Sequence, residues 1–354
     1  MAEAAGPASR SGTEPASRSG TEPAAVPITP DDDQWHDHSQ HWYETETTWW
    51  SFNVPERALG GWLYTQALAV QGTCNGGAWV WDASDAPARY EVRHEGLPFP
   101  DRGDLRHCSF PNGNTVEVLE PLMRYRTTYS DPGAFEADLV HEGIMPPHSH
   151  PVGAWPFWAT RHFDQTMHVT GTIVLHGEEI PVDCYSVRDR SWGPRPTGPI
   201  PDDKKLPRGS LPGREQRPAR ADQPHSVGYV FATQDAREAF LAFTDPWLHP
   251  DGTATDDLDA GYLVRDGVYA PLVGGFRTIE LAPGTRFIRR IHLEASDTLG
   301  RVLSADGELV ARHGARGPSG TGLFAWSWTG GREGWGEDQS FGPDDWFEAL
   351  ATAS

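Results

Sequence analysis

Apolar and polar residues alternate in short runs along most of this 354-residue chain, and Gly, Pro and Asp separate the runs. Alternation with a period of two residues is typical of a β-strand that buries one face. The sustained spacing of i, i+3, i+4 and i+7 that indicates an amphipathic helix does not occur in the sequence. The pattern therefore predicts an all-β protein of sandwich or barrel type rather than one of alternating strands and helices.

The clearest predicted hairpin is HVTGTIVLHGEEIPVDCYSV, residues 168–187, with HGEE as its turn. Before the turn, Val169, Ile173 and Leu175 alternate with threonines, as in a strand with one buried face. A second hairpin, SVGYVFATQDAREAFLAFTD at 226–245, turns at QDA. Three further segments of turn composition separate short apolar runs: RDG at 265–267, APG at 282–284 and ADG at 305–307.

Composition divides the chain into four parts. Residues 1–30 are mostly Ala, Gly, Pro, Ser and Thr with an ASRSGTEP repeat, and they carry too few apolar groups to offset the entropy of ordering. We predict a disordered tail there, followed by a β-domain at 31–193 and a second β-domain at 225–346. Residues 194–224 are rich in proline and arginine and form either a solvated linker or loop, or a lid over a site.

Charge and cysteine content exclude several classes of protein. The chain has 29 Lys and Arg against 50 Asp and Glu, a net charge of −21, which argues against a nucleic-acid partner. No run approaches the roughly 20 apolar residues of a membrane helix, and no secretory leader is recognisable, so we expect no membrane span and a cytoplasmic location. Three widely spaced cysteines predict neither a disulfide framework nor a zinc knuckle.

Aromatic residues are abundant, with 15 Trp, 14 Phe and 9 Tyr against only 4 Met. Such rings suit either a wide β-core or a cavity for a bulky apolar ligand. Core packing accounts for most such rings, and a cavity among them would take a small lipophilic molecule as its partner.

Histidines in two short segments raise the possibility of a metal site. His36 and His38 would share one face of an extended strand, and HSH at 148–150 offers two more ligands. No third ligand is fixed by spacing, so we predict no metal and no cofactor. A serine hydrolase is not indicated either, because no G-x-S-x-G segment occurs, and GGREGWGEDQ lacks the Lys of a phosphate-binding loop.

The segment SVRDRSWGPRP, residues 186–196, concentrates charge at the end of the first hairpin. If the strand continues without a bulge, Arg188, Arg190 and Trp192 share one face and Asp189 points to the other. Two buried arginines need carboxylates or hydrogen bonds. They either lock the two β-units together through carboxylate and indole contacts or orient a polar group of a substrate.

RDRSWGPR, the earlier HWYETETTWWSFNVPERALGGWLY and the late GWGED together resemble the carotenoid 1,2-hydratase and AttH-like superfamily, and within it an uncharacterised bacterial branch. The resemblance covers about residues 35–345. It implies two lipocalin-like antiparallel β-barrel or sandwich domains packed together, with an apolar pocket near their junction. It also implies a hydratase, dehydratase or cyclase activity on isoprenoid or polyketide skeletons.

In the hydratases resembled, a His stands two residues before the central Trp, and a later Tyr-x-Asp supplies the carboxyl group that protonates an alkene. Trp192 matches the Trp, but Arg190 stands at the His position. The best counterpart of Tyr-x-Asp is Phe243, Thr244 and Asp245. Arginine cannot deprotonate near neutral pH, and Phe243 has no hydroxyl to relay a proton.

The sequence thus favours a hydratase, dehydratase or cyclase acting on a terpenoid, steroid-like or other lipophilic substrate, and its alternative is a non-catalytic binding or carrier protein for such a ligand. A structural protein with a filled core is a third possibility. The predicted catalytic residues are Asp245, Arg190 and Trp192. The predicted substrate-binding residues are Arg188, Asp189, Phe243, Trp247, His162, Asp164, Tyr43 and Trp335. Glu337 and Asp338 either pair with the central arginines or cap a late strand.

Overall fold

The computed structural model describes residues 27–36, 42, 44–84, 88–150, 161–195, 227–248, 254–283, 287–313 and 321–341. Most of the predicted tail (1–30) and of the predicted linker (194–224) lies outside these residues. Tyr43 and His38 lie outside them as well.

Within the described residues, the chain forms strands and three single-turn 3₁₀ helices, with no α-helix. The 3₁₀ helices are Pro30–Asp33, Pro55–Arg57 and Ala69–Gln71. The first sheet contains β1 (Glu44–Val54), β2 (Leu59–Leu68), β3 (Thr73–Trp81), β4 (Tyr90–Pro98), β5 (His107–Ser109), β6 (Asn114–Glu120), β7 (Arg124–Asp131), β8 (Phe135–Gly143), β9 (His148–Ser149), β10 (Arg161–Leu175) and β11 (Glu178–Pro194). The second contains β12 (Val227–Asp235), β13 (Glu238–Leu248), β14 (Ala254–Arg265), β15 (Val268–Leu281), β16 (Ile288–Asp297), β17 (Val302–His313), β18 (Thr321–Trp328) and β19 (Arg332–Phe341).

The first sheet is antiparallel and has the order β4-β3-β2-β1-β11-β10-β8-β7-β6-β5, with β9 added on β10. Its longest pair is the predicted hairpin of β10 and β11, which turns at His176 and Gly177. Both turn residues have positive φ, +50° and +83°, as a tight two-residue hairpin requires. The hairpin prediction is therefore confirmed.

The second sheet closes into an eight-stranded barrel, because β12 pairs with both β13 and β19. Closure leaves no unpaired strand edge. The predicted all-β fold with barrel-type sheets is confirmed. No helix among the described residues has the length and apolarity that spanning a membrane would take.

The predicted turns have different outcomes. Asp266 and Gly267 form the turn between β14 and β15, both with positive φ, so the RDG prediction is confirmed. The ADG prediction at 305–307 is wrong, because these residues lie within β17. A Cβ on Gly307 would lie 2.9 Å from the ring of Trp326, so this glycine makes room for an indole inside the barrel wall.

Alternation divides the first sheet into two faces. One face carries Trp50 and Phe52 into the core of that sheet. The other face, which we call the junction face, carries Trp49, Trp62 and Trp79 on β1 to β3 and packs on the outside of the barrel. Aromatic residues of β1 to β3 therefore pack on both faces of the first sheet.

Candidate functional site

The junction face brings β10 and β11 against β12 to β15 of the barrel. The register pairs Asp164 with Asp189 and Thr166 with Val187, so these side chains share the junction face. Thr166 shares a 2.6 Å hydrogen bond with the hydroxyl of Tyr262 on the barrel. The two sheets therefore meet through polar contacts as well as apolar ones.

Asp164 is the centre of a buried hydrogen-bond network at this junction. One of its oxygens, Oδ2, lies 2.6 Å from Nε2 of His150 and 2.8 Å from Nε2 of His162. The other, Oδ1, accepts a 3.1 Å hydrogen bond from the hydroxyl of Tyr229 on the barrel. Burial favours the protonated form, but the imidazoles of His162 and His150 outweigh it and hold the pKa of Asp164 well below its usual range.

A carboxylate that accepts from both Nε2 atoms fixes the tautomer of both imidazoles. Each ring then presents Nδ1 as a hydrogen-bond acceptor when it is neutral. Burial lowers the pKa of His150 to about 4, so this ring is neutral near pH 7. Its Nδ1 has no hydrogen-bond partner within the described part of the chain, which leaves a buried base without a proton donor.

Asp189 lies on the other side of His162 and has the opposite electrostatic character. Its Oδ2 is 3.7 Å from Nδ1 of His162, and 19% of its side chain is exposed. Burial raises the pKa of Asp189 to about 6, and the negative charge of Asp164 adds to this effect. His162 is thus placed between a firmly ionised carboxylate and one that holds a proton more readily.

Aromatic rings enclose this polar group. The ring of Phe243 is nearly perpendicular to that of His150, with centroids 4.7 Å apart, and to that of His162, at 5.5 Å. Tyr229 packs on Phe243 at 4.6 Å, and Trp49 packs on Tyr229 at 6.0 Å. Apolar walls of this kind strengthen electrostatic effects and exclude water.

The ligand atoms of His150, His162 and Asp164 lie within 4.8 Å of one another, so these three residues could hold a divalent cation. The 2.6 and 2.8 Å separations are those of hydrogen bonds, however, and Asp164 already receives three donors. A metal-bound His usually donates its second nitrogen to an outer partner, which His150 lacks among the described residues. The geometry fits a hydrogen-bonded cluster better than a metal site.

Arg188 and Arg190 lie on the opposite face of β11 and contact the N-terminal segment. Arg188 donates a 2.8 Å hydrogen bond to Asp33, and its guanidinium lies over the ring of Tyr125 at 3.9 Å. Arg190 donates a 2.6 Å hydrogen bond to Glu46. Asp33 precedes β1 and Glu46 lies in β1, so Arg188 joins the N-terminal segment before β1 to the first sheet, and Arg190 joins β11 to β1.

Trp192 belongs to the same group, because the imidazole of His36 stacks on it with centroids 3.9 Å apart. His36 also contacts Asp32 and Glu46, at 3.2 and 3.3 Å. An ion pair with Glu46 therefore holds Arg190, and stacking on His36 helps to hold Trp192.

Four of the predicted site residues come together at the junction: Asp189, His162, Asp164 and Phe243. Asp245 follows two residues after Phe243 on β13 and is buried, and Trp247 continues the same alternation. Trp335 packs instead near Trp79 and Trp81 and lines a cleft of about 830 Å³ between β12 and β16 to β19 of the barrel. Tyr43 lies outside the described residues.

Sequence reasoning missed two members of the network. The sequence indicates His150 only as a possible metal ligand, and no sequence pattern indicates Tyr229. The signal for Tyr229 was weak, since a tyrosine in an apolar strand looks like any core residue. Its contact with Asp164 depends on how the two sheets pack, which local patterns do not encode.

A family model described as a domain of unknown function, DUF7064, matches residues 29–340. The chain belongs to the DUF7064 family. The match includes both sheets, so the His162 and Asp164 network lies within the family domain. No curated protein matches this DUF7064 chain.

Solved structures show which fold the DUF7064 chain has. An AttH-type protein from Nitrosomonas europaea is similar with a TM-score of 0.59 and 15% identity, over 90% of this chain and 97% of that chain. Kievitone hydratase from Nectria haematococca aligns with a TM-score of 0.47 and 12% identity, over 91% and 94%. CghA aligns with a TM-score of 0.48 and 13% identity, over 86% and 89%. The likeness to the AttH-type protein confirms the AttH-like fold predicted from the sequence, and at these identities it concerns the fold alone.

Proposed function

We propose that this DUF7064 protein is an enzyme of hydratase, dehydratase or cyclase type that transfers protons to and from a lipophilic, terpenoid-like substrate at the junction face. The observation that carries this proposal is His162, which lies between two carboxylates of opposite character. Asp164 is held ionised, and Asp189 has a pKa raised to about 6. Pairs of titratable groups whose environments drive their pKa values apart mark acid and base roles.

In this mechanism Asp189 is the acid that reaches the substrate, because part of its side chain is exposed. A pKa near the working pH suits a group that must both give and regain a proton. Asp164 and Tyr229 hold the imidazole of His162 in position. Asp189 regains its proton from solvent, because part of its side chain is exposed. The neutral imidazole of His150 is the base that accepts a proton from the substrate or from water.

The surrounding aromatic rings can stabilise the cation that such a reaction forms. Protonation of an alkene creates a cation, and the faces of Phe243, Tyr229 and Trp49 offer the negative side of their quadrupoles to it. Asp245, on the same strand as Phe243, stays a second candidate for the acid. For Arg188, Arg190 and Trp192 we propose a structural role, which their contacts with residues 32–46 support.

The test is solvent deuterium incorporation. Purified protein is incubated in D₂O with a panel of isoprenoid alcohols and alkenes, and the products are analysed by mass spectrometry. We expect deuterium in the product of at least one substrate, and a loss of 10²-fold or more in rate for Asp189→Asn and His162→Gln, the typical contribution of a positioned acid or base. Asp245→Asn, measured in parallel, decides between the two candidate acids.

The same hairpin provides a matched control. His168 and Asp183 form another imidazole and carboxylate pair on β10 and β11, 2.7 Å apart, but at the exposed end of the strands. His168→Gln and Asp183→Asn should keep full activity. Equal activity of Asp189→Asn and wild type would overturn the acid role of Asp189. An unaltered lipid that co-purifies with the protein, together with no deuterium incorporation, would favour the carrier function instead.

A further inference from the structure

A second group of buried polar atoms lies on the junction face around Trp62, apart from the His162 network. The indole nitrogen Nε1 of Trp62 donates a 2.7 Å hydrogen bond to Oε2 of Glu337, which is fully buried. Trp62 also packs on Trp81, with centroids 5.1 Å apart, and on His313, at 5.5 Å. This group, which we call the Trp62 cluster, joins β2 and β3 of the first sheet to β17 and β19 of the barrel.

Three polar atoms of the Trp62 cluster have no hydrogen-bond partner among the described residues: Oε1 of Glu337, Nε1 of Trp81 and Nε2 of His313. Buried polar groups in folded proteins almost always find partners, and each exception needs an explanation. One unpartnered atom could reflect local strain. Three such atoms, on residues that each contact the indole of Trp62, indicate a place where a polar atom of another molecule binds.

The chemistry of the Trp62 cluster restricts the ligand. Burial raises the pKa of Glu337 to about 8, although Trp62 and Gln339 donate hydrogen bonds to it. The side chain is therefore a neutral carboxylic acid at pH 7 and can donate its proton in a hydrogen bond. Its surroundings are indole rings and Leu323, which suit an apolar skeleton. Trp62 and Trp335 are only partly buried, so the cluster extends to the protein surface.

We propose that the Trp62 cluster binds an apolar ring compound through a carbonyl or hydroxyl oxygen, to which Glu337 donates a hydrogen bond. Trp62 stacks on the ring of the compound, and Trp81 and His313 offer further polar contacts to it. This binding site does not depend on the acid and base roles proposed for Asp189 and His162. It concerns affinity alone, so its test succeeds or fails separately from the activity test.

Among the described residues, the titratable side chains packed near Glu337 keep their charge around pH 8. Burial lowers the pKa of His313 and keeps it neutral. Burial also raises the pKa of Tyr64, and raises that of Cys184 to about 12, so both keep their protons. A change in affinity around pH 8 therefore reports on Glu337.

The probe is β-ionone, a conjugated isoprenoid ketone whose absorption band moves to longer wavelength when its carbonyl accepts a hydrogen bond. Titrations are followed by this band and by tryptophan fluorescence at about pH 6.5 and about pH 9. We expect saturable binding with a shifted band at the lower pH. Binding should be about tenfold weaker at the higher pH, because only about a tenth of the protein then carries the protonated acid.

Two variants and one control separate the outcomes. Glu337→Gln keeps a donor that does not titrate, so it should bind with the same affinity at both pH values, and Glu337→Leu should lose the band shift. Glu333→Gln, on the same strand but exposed, should behave as wild type. Infrared difference spectra should show a protonated carboxylic acid that disappears by about pH 9 and is absent in Glu337→Gln. A lack of saturable binding, or the same pH dependence in Glu337→Gln and wild type, would overturn the proposal.

Discussion

On one face of β11, Arg188 and Arg190 each meet a buried carboxylate, whereas Asp189 between them faces the barrel beside an imidazole 3.7 Å away. The arginine face is electrostatically compensated, and Arg190 together with His36 holds the pKa of Glu46 below its usual value against the effect of burial. The aspartate face is not compensated in this way, because burial raises the pKa of Asp189 to about 6. Neighbouring residues in one motif thus have opposite electrostatic character.

This difference shows how one strand can carry both structural ion pairs and a group that exchanges protons. A period of two residues sends alternate side chains to opposite faces, so a structural ion pair and a titratable acid can lie side by side in sequence without sharing an environment. A buried charge that is paired with an opposite charge fixes the position of its side chain. An acid without such a partner, whose pKa is near neutral, can exchange a proton. The predictions below test whether this division holds in solution.

Arg190→Met should cause the largest change in the free energy of unfolding. It removes the 2.6 Å guanidinium partner of Glu46, whose side chain is fully buried, and leaves His36 to compensate this carboxylate in part. Breaking such a pair typically costs about 3–5 kcal/mol of unfolding free energy. Urea denaturation at neutral pH measures this loss.

The control for Arg190→Met is Arg126→Met, which removes an exposed arginine paired with Asp138 at 2.6 Å. Exposed pairs contribute only about 0–1 kcal/mol, so this variant should be almost as stable as wild type. Equal losses in the two variants would contradict the structural role of the arginine face. A second variant that also replaces Glu46 by Leu should recover part of the stability.

Asp189→Asn should change stability in the opposite direction. A carboxyl group whose pKa is raised in the folded state contributes most below its unfolded pKa of about 4, and this contribution is lost as pH rises through the folded value of about 6. The amide does not ionise, so the variant should gain about 1–2 kcal/mol over wild type at pH 7.5 and little at pH 4. The figure is reduced for the partial exposure of the side chain.

Urea denaturation of wild type and Asp189→Asn at several pH values tests whether the variant is the more stable protein at pH 7.5. Asp183→Asn, exposed on the same strand, should follow wild type at every pH. A variant that is less stable than wild type by the same amount at pH 4 and pH 7.5 would mean that Asp189 is compensated like its arginine neighbours.

Much of this arrangement could be predicted from the sequence. The rest depends on contacts between residues that are far apart in the sequence. The two faces of β11 follow from alternation, because the pairing of β10 and β11 has no bulge. The partners of the arginines could not be predicted, since Asp33 lies 155 residues before Arg188 and Glu46 lies 144 before Arg190. Likewise, local composition made Gly307 look like a turn, although a ring from the next strand sets its role.

His36→Gln should have the smallest effect and a characteristic pH dependence. Burial lowers the pKa of His36, but its hydrogen bonds to Asp32 and Glu46 more than offset this, so the folded pKa is raised. The guanidinium of Arg190 opposes the shift only in part. Because protonated His36 stabilises the arginine face, its contribution is complete below the unfolded pKa of about 6.5 and is lost as pH rises through the folded pKa. The variant should therefore lose about 1 kcal/mol at pH 5.5 and less at pH 9.

Denaturation curves of His36→Gln at the two pH values measure this difference, with the exposed His107→Gln as a control that should match wild type at both. Hydrogen exchange of the residues around His36 gives a more local measurement, because the imidazole stacks directly on Trp192. Hydrogen exchange of residues 30–36 should be slower at pH 5.5 than at pH 9 in wild type, after correction for the intrinsic rate. A loss of stability in His36→Gln that is larger at pH 9 would show that neutral stacking on Trp192, rather than charge, holds this segment on the arginine face.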